Sequence, residues 1–247
     1  MSGHSKWSTI KHKKGAADAK RGRLFTKLIK EITMSAKVGG GIVDSNPRLR
    51  SAVLAAKKAS MPSDNIDKAI KRGTGELEGV TYEEVTYEGY GPGGAAILIE
   101  AMTDNKNRTT AEIRHLLTKY GGNLAASGAV AFQFSKKGTI AVEKSAVKED
   151  ALMELALESG AEDFKTDDAD LFEVYTDPAS FEAVKAAVEA KKIAIQTAEI
   201  QMVPQNTIDV AEKSPALVKL LEMIEENDDV QKVWSNGDLD DKFLTEE

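Results

Sequence analysis

The sequence contains no cysteine, few aromatic residues and no long apolar run. The absence of cysteine excludes disulfides, thiolate metal sites and cysteine nucleophiles, and it leaves the redox compartment open. No apolar run approaches the roughly 20 residues that a membrane-spanning helix needs. The N-terminus is basic but lacks the apolar segment of a secretory signal, so we expect a cytoplasmic protein without a membrane partner.

Residues that could form a catalytic or metal centre are also scarce. The three histidines are His4, His12 and His115, and they do not have the spacing of two ligands on one helix. The sequence has neither a Walker phosphate loop nor the Gly-x-Ser-x-Gly elbow of serine hydrolases. A strand rather than a helix is predicted after Gly89–Gly94, which indicates a tight turn instead of a phosphate cradle. We therefore predict a protein that is not an enzyme, with no catalytic residue, metal, cofactor or small-molecule substrate.

Positive charge is concentrated in the first third of the chain. The 247 residues carry a net charge of −7. Residues 1–75 hold 17 Lys or Arg against 5 Asp or Glu, a balance of +12, whereas residues 76–247 hold 16 against 35, a balance of −19. Such a protein is attracted to phosphate at one end and repelled from it at the other, which helps to orient docking.

Three helices are predicted after a basic N-terminal arm. Apolar residues of Ala19–Lys37 occupy one arc of a helix, and the opposite side carries basic residues that are either solvated or bind a partner. Pro47 lies in the first turn of a second helix, and a third follows Pro62 and runs to about Arg72. Together these segments predict a basic helical domain over residues 1–77.

The arm and the basic helix faces predict a nucleic-acid interface. The arm has no apolar periodicity, so it is either a solvated tail or a segment that becomes ordered on an anionic partner. Lys and Arg neutralise phosphate, and Trp7 can stack on an unpaired base, which slightly favours RNA over DNA. The candidate nucleic-acid-binding residues are Lys6, Trp7, Lys11, His12, Lys13, Lys14, Lys20, Arg21, Arg23, Lys27, Lys30, Arg48 and Arg50.

The turn between the second and third helices has two interpretations. In the first, Met61 fills the helical core and the turn is only a connection. In the second, the turn is a rigid tip that contacts a ligand. The residues of this turn are Met61, Pro62, Ser63, Asp64 and Asn65.

Strand periodicity begins after Tyr82. The first elements follow the order β-β-α-β, and the chain from Gly138 to Met202 follows β-α-β-β-α-β, which is the ferredoxin-like order. Elements after Pro204 can complete the interrupted first unit. The predicted elements of that first unit are strands Glu83–Glu88 and Ala95–Met102, helix Thr110–Tyr120 and strand Val130–Phe134.

These patterns predict an α+β protein. An N-terminal three-helix domain is followed by two ferredoxin-like α/β sandwich domains, and the third domain is inserted in the second. The predicted boundaries are residues 1–77 for the basic helical domain with its arm, 78–135 plus 204–240 for the second domain, and 136–203 for the inserted domain.

Six motifs together resemble the YebC/PmpR family across essentially the whole chain. They are MSGHSKW (1–7), IKHKK (10–14), KRGRLFTKLIK (20–30), NPRLR (46–50), MPSDNI (61–66) and YEGYGPGG (87–94). The resemblance implies a helical bundle and two α/β domains around a cleft, with one α/β domain inserted in the other. This architecture agrees with the order of elements predicted above.

The resemblance also implies a role in gene expression. Members of the family are described as probable transcriptional regulators that bind promoter DNA. A mitochondrial relative activates translation of cytochrome c oxidase subunit I, and bacterial members are associated with the ribosome, where they relieve stalls at proline-rich stretches. By resemblance, the first domain binds ribosomal RNA, and the loop Met61–Asn65 faces the peptidyl-transferase region and the tRNA end.

The residues themselves favour RNA over promoter DNA. The sequence has no clear recognition helix with spaced base-reading side chains and no dimerising heptad for a palindromic operator. A basic arm with one aromatic residue and a proline-containing turn suits a structured RNA surface. We expect a monomeric translation factor that binds the large ribosomal subunit, and the alternative is a DNA-binding transcriptional regulator.

Overall fold

The computed structural model describes residues 18–240, and the side chains of residues 21–240. Its α-helices are α1 (Asp18–Gly39), α2 (Pro47–Lys58), α3 (Ser63–Thr74), α4 (Lys106–Lys119), α5 (Glu149–Glu158), α6 (Phe181–Ala190) and α7 (Ser214–Glu225). Its strands are β1 (Glu83–Tyr90), β2 (Ala96–Thr103), β3 (Asn123–Leu124), β4 (Phe134–Glu143), β5 (Ala161–Lys165), β6 (Leu171–Thr176), β7 (Ile195–Pro204), β8 (Ile208–Asp209), β9 (Val230–Ser235) and β10 (Gly237–Asp238).

The described chain divides into two compact units. Residues 132–207 form the inserted unit, and residues 18–131 and 208–240 form the main unit. The main unit contains both the three helices α1–α3 and the first sheet. None of the helices within residues 18–240 is long and apolar enough to cross a membrane.

The helices α1–α3 share a small apolar core. Asn46 joins the end of α1 to the start of α2, because its side chain donates to the carbonyls of Ser35 and Gly40 and accepts from the N–H of Leu49. An Asn cap followed by Pro47 is a favourable helix start. The buried residues of this core are Ile32, Ala36, Leu49, Ala52, Val53, Ala56, Met61, Ile66 and Ala69.

The sheet of the main unit has the strand order β3-β1-β2-β9, and every neighbouring pair is antiparallel. Strands β1 and β2 form a hairpin in which Glu83 pairs with Thr103 and Tyr90 pairs with Ala96. The predicted tight turn between them is confirmed, and Gly93 and Gly94 both adopt positive φ there. Helices α4 and α7 pack on one face of the sheet, with Ile113, Leu117, Leu217, Leu220, Leu221 and Ile224 buried against Ile97, Ile99 and Val233.

The prediction of a strand over Val130–Phe134 is wrong. The strand after α4 is the short β3, which pairs with β1, and residues 131–133 form a single 3₁₀ turn. The cause is Glu88, whose buried carboxylate accepts hydrogen bonds from the backbone N–H groups of Gly128, Val130 and Ala131 at 2.6, 2.7 and 2.8 Å. These groups are therefore not available for a β-ladder.

The inserted unit has the strand order β5-β6-β4-β7 with antiparallel neighbours, which is the ferredoxin-like arrangement. Helices α5 and α6 cover one face, where Leu152, Ala156, Val184 and Val188 are buried with Ile140. The predicted α+β class, with a helical region followed by α/β sheet units, is confirmed. The exact domain boundaries given above stay a prediction.

Candidate nucleic-acid interface

The side of α1 that the sequence predicts as basic faces the rest of the main unit. It meets the acidic turn, residues 225–229, which joins α7 to β9. Lys27 Nζ donates to the carbonyl of Glu225 at 2.7 Å, and Arg23 lies 3.6 Å from the carboxylate of Glu226. The carbonyls at the end of a helix carry a partial negative charge, so this position favours a lysine.

Lys30 is the most deeply placed of these basic residues, with only 6% of it exposed. Its Nζ donates to Asp229 Oδ1 at 2.5 Å and to the carbonyl of Asp228 at 2.8 Å. The ammonium also lies 5.6 Å from the centre of the Tyr82 ring, within the range of a cation–π interaction. In this arrangement Lys30 is not accessible to a nucleic acid.

Asp229 is the centre of a buried polar network. Its second oxygen accepts hydrogen bonds from Arg108 Nη2 at 2.7 Å, Thr109 Oγ1 at 2.6 Å and Thr103 Oγ1 at 3.2 Å. Burial alone would raise its pKa, but the hydrogen bonds from Lys30, Thr109 and Arg108 lower the pKa to about 2. The carboxylate is therefore ionised at neutral pH and is fixed by partners from α1, β2 and α4.

The middle of α1 is consequently buried on all sides. The residues from Ile32 to Ala36 are all buried, including Met34 on the side predicted as basic. An amphipathic pattern exposes one face to solvent or a ligand, whereas here that face packs on the α/β part of the main unit. Of the predicted interface residues on α1, the structure leaves Arg21 exposed, with its guanidinium 5.6 Å from the Phe25 ring centre.

The predicted interface residues of the arm lie outside the residues that the structure describes. They are Lys6, Trp7, Lys11, His12, Lys13 and Lys14, and the side chain of Lys20 also lies outside that range. Their assignment to the interface stays a prediction.

On α2, Arg48 and Arg50 differ in their surroundings. The Arg48 guanidinium binds the carboxylate of Glu31 at 2.8 and 3.1 Å and also contacts Glu84. The Glu31 hydrogen bond raises the Arg48 pKa, burial opposes this, and the Glu84 hydrogen bond raises it further. Arg50 is exposed, and one of its nitrogens donates to the carbonyl of Asp44 at 2.5 Å. An arginine has five N–H donors, so most of those on Arg50 remain for a ligand.

The turn after α2 has a fixed geometry. The N–H of Met61 donates to the carbonyl of Ala56 and the N–H of Ser60 to that of Lys57, both at 2.9 Å. This is the Schellman pattern of a helix C-terminus, and Ser60 adopts the left-handed conformation that the pattern requires, with φ of 60°. Met61 is 5% exposed and belongs to the helical core, as the first interpretation predicted.

The part of the turn beyond Met61 reaches solvent. Pro62, Ser63 and Asp64 are exposed, Asn65 is half-buried, and Ile66 returns to the core. The turn is thus an exposed tip anchored on both sides. The first interpretation is confirmed for Met61, which fills the core. The next three residues are exposed, and their contact with a ligand stays a prediction.

Exposed lysines that were not among the candidate residues also lie on α2. Lys57 and Lys58 are exposed in its last turn, on the same side as Arg50. A helical wheel of α2 places them beside Arg50, because they follow it by about two turns, so the sequence alone could have identified them.

The described side chains do not form a group that could hold a metal ion. Among residues 21–240, no cluster of three or more His, Asp or Glu has suitable geometry. His115 is exposed on α4.

The fold and site define a class of protein in which a basic three-helix region with an exposed tip is fixed to the sheet of the main unit, and a second α/β unit is inserted in the chain. The model of the TACO1/YebC N-terminal domain matches residues 5–76, and that of the TACO1/YebC second and third domain matches residues 82–237. The chain belongs to the TACO1/YebC family, as the motifs predicted.

Known relatives are similar over nearly their whole length. A probable transcriptional regulatory protein of Desulforapulum autotrophicum is 59% identical over 243 residues, which are 98% of each chain. One from Syntrophobacter fumaroxidans is 57% identical over 246 residues, which cover 99% of this chain and 98% of the relative. The crystal structure of a conserved hypothetical protein from Aquifex aeolicus has a TM-score of 0.82 and 47% identity, and the match covers 96% of this chain and 98% of that one.

Proposed function

We propose that the protein is a non-enzymatic, nucleic-acid-binding regulator of gene expression that acts in translation. In this proposal it binds RNA of the large ribosomal subunit and relieves stalls at proline-rich sequences. The observation that carries the proposal is the exposed tip Pro62–Asp64, which is held by a Schellman turn at the end of a basic helix. The resemblance to the family supports the choice of the ribosome.

The charge distribution supports a phosphate-rich partner. The helical region provides lysines and arginines for phosphates, and such contacts give affinity that does not depend on base sequence. The acidic remainder of the chain is repelled by the same phosphates, so the helical region approaches first. A protein of this kind needs no small molecule or cofactor, and we propose that it acts as a cytoplasmic monomer.

The tip supports a role beyond simple attachment. Met61 and Ile66 are buried in the helical core on either side of it, and Pro62 has a fixed backbone φ. A rigid, narrow segment enters a cavity in folded RNA without a large ordering cost. We propose that this segment faces the peptidyl-transferase region and the tRNA end, while the basic side chains anchor the protein.

A transcriptional regulator that binds promoter DNA is the second candidate. It is favoured by the relatives, which are named probable transcriptional regulatory proteins. Phosphate contacts alone do not separate DNA from RNA, because both polymers carry the same backbone charge. A binding experiment that contains both DNA and RNA is therefore needed to distinguish the two candidates.

Co-sedimentation of the full-length protein with purified large ribosomal subunits tests the first candidate. We expect binding that weakens steeply as salt is raised and that persists in excess competitor DNA. A strain without the protein is expected to elongate slowly through a polyproline reporter. Protection of a defined promoter in excess competitor DNA, with no binding to subunits, would establish the second candidate instead.

A further inference from the structure

The basic residues of the helical region fall into two groups with different surroundings. On α1, Lys27 and Lys30 donate to the backbone or carboxylates of residues 225–229. These side chains already have hydrogen-bond acceptors within the protein. A nucleic acid would have to displace the acidic turn before it could use them.

Helix α2 presents a different face. Arg50, Leu54, Lys57 and Lys58 are all exposed, and on an α-helix they fall within an arc of about 100°. Leu54 is 54% exposed in the middle of this face. A single exposed leucine is ordinary, but here it lies among three cations on the helix that leads to the tip.

The composition of α2 separates it from α3. The segment Pro47–Lys58 contains four basic residues and no acidic residue. By contrast, α3 carries Asp64 and Asp67 beside Lys68, Lys71 and Arg72. Acidic side chains on the same helix repel phosphate and reduce its local attraction. Of these two helices, α2 is therefore the one whose positive charges are not interrupted by acidic residues.

We infer that the exposed face of α2, formed by Arg50, Leu54, Lys57 and Lys58, binds the phosphate backbone of folded RNA and thereby places the tip Pro62–Asp64. The inference rests on the proposed function and specifies which surface performs it. The three cations contact phosphates, and Leu54 packs on a ribose or an unstacked base between them. The basic side of α1 has the separate task of fixing the helical region to the sheet of the main unit.

Two matched triple variants test this assignment. The first is Arg50→Gln/Lys57→Gln/Lys58→Gln, and the control is Lys68→Gln/Lys71→Gln/Arg72→Gln. Each variant removes three exposed positive charges, two of which lie in the last turn of a helix. The two variants therefore lose similar favourable interactions with the helix dipole. The measurement is the affinity of full-length protein for purified large subunits over a series of KCl concentrations.

We expect the α2 variant to lower the slope of log affinity against log salt by about 2 to 3, and the control to lower it by less than about 1. Equal effects of the two variants, with wild type bound, would overturn the inference and leave the proposed function intact. No binding of wild type would overturn both. A loss of DNA binding by the α2 variant, with unchanged binding to subunits, would also overturn the inference.

Crosslinking provides an independent readout, because the natural chain has no cysteine. A photoreactive group attached to Leu54→Cys is expected to crosslink to ribosomal RNA in purified subunits. The same group on Ala151→Cys, an exposed position of α5, serves as the control. Crosslinks from the control alone would contradict the assignment, and melting curves of both variants show whether the fold is kept.

Discussion

Lys30 and Asp229 form an ion pair with an Nζ–Oδ1 distance of 2.5 Å, and their side chains are only 7% and 6% exposed. The pair joins α1 to the residue before β9. Because Asp229 also accepts hydrogen bonds from Arg108, Thr109 and Thr103, one carboxylate ties the helical region to the sheet of the main unit. The orientation of the helical region is therefore fixed by a buried polar network.

Removal of the Asp229 carboxylate is expected to destabilise the main unit strongly. Asp229→Ala leaves the Lys30 ammonium buried without its carboxylate, and breaking a buried pair in this way costs about 3–5 kcal/mol. Urea denaturation at neutral pH measures the loss. Glu226→Ala is the matched control in the same turn, since its pair with Arg23 is exposed and contributes less than about 1 kcal/mol. Similar losses in the two variants would contradict the buried network.

Stability is expected to fall in acid because of two depressed carboxylates. Hydrogen bonds from Lys30, Thr109 and Arg108 overcome burial and hold the pKa of Asp229 at about 2, against an ordinary 3.8. For Glu88, burial raises the pKa, but three backbone N–H groups more than offset this, so its pKa is also lowered.

Since the unfolded chain binds these protons more readily, both groups contribute stability above their unfolded pKa values. The contribution of Asp229 is lost as pH falls from about 5 towards 2, by roughly 2 kcal/mol. The slope of unfolding free energy against pH should therefore be smaller in Asp229→Asn than in wild type. An unchanged slope over this range would show that Asp229 has an ordinary pKa.

Ser60→Gly is expected to stabilise the helical region. Ser60 adopts φ of 60°, a conformation that costs a non-glycine residue about 1 kcal/mol and costs glycine little. The gain is reduced by the greater freedom of glycine in the unfolded chain, so we expect a gain of up to about 1 kcal/mol. Thermal melting measures it. Ser51→Gly, at an exposed interior position of α2, should instead cost about 0.5 kcal/mol.

Gly73→Ala is expected to separate α1 from α3. A Cβ at Gly73 would lie against the carbonyl oxygen of Thr33 and 2.7 Å from Ala36 Cβ, which is too close without movement of the helices. Overpacking of this kind costs about 1–3 kcal/mol. Gly22→Ala, where a Cβ meets nothing within 4 Å, should stabilise α1 by up to about 1 kcal/mol. Equal melting temperatures for the two variants would contradict this packing.

Local signals predicted most elements of the fold. Proline and asparagine at the start of α2, glycine at the end of α3 and the two periodicities of the sheets are all readable from neighbouring residues. An observed boundary differs from the predicted one where a side chain hydrogen-bonds to the backbone. Helix α4 begins at Lys106 rather than Thr110 because the Asn105 side chain caps it.

The candidate site was harder to predict because its limits depend on distant residues. The basic side of α1 resembles any exposed cationic face until the acidic turn is placed beside it, and Lys30 and Asp229 are 199 residues apart in the chain. A helical wheel places Arg50 and Lys58 on the same side of α2, but only the fold shows that this side is exposed. The spacing of neighbouring residues does not predict an ion pair between residues that are far apart in the chain.

The most direct test of the account is crosslinking of the intact protein to nucleic acid in cells, with both the nucleotide and the amino acid mapped. We predict crosslinks between RNA of the large ribosomal subunit and the segment from Arg50 to Asp64, and none to Lys30. Crosslinks confined to promoter DNA, or to RNA through the inserted unit alone, would contradict the account.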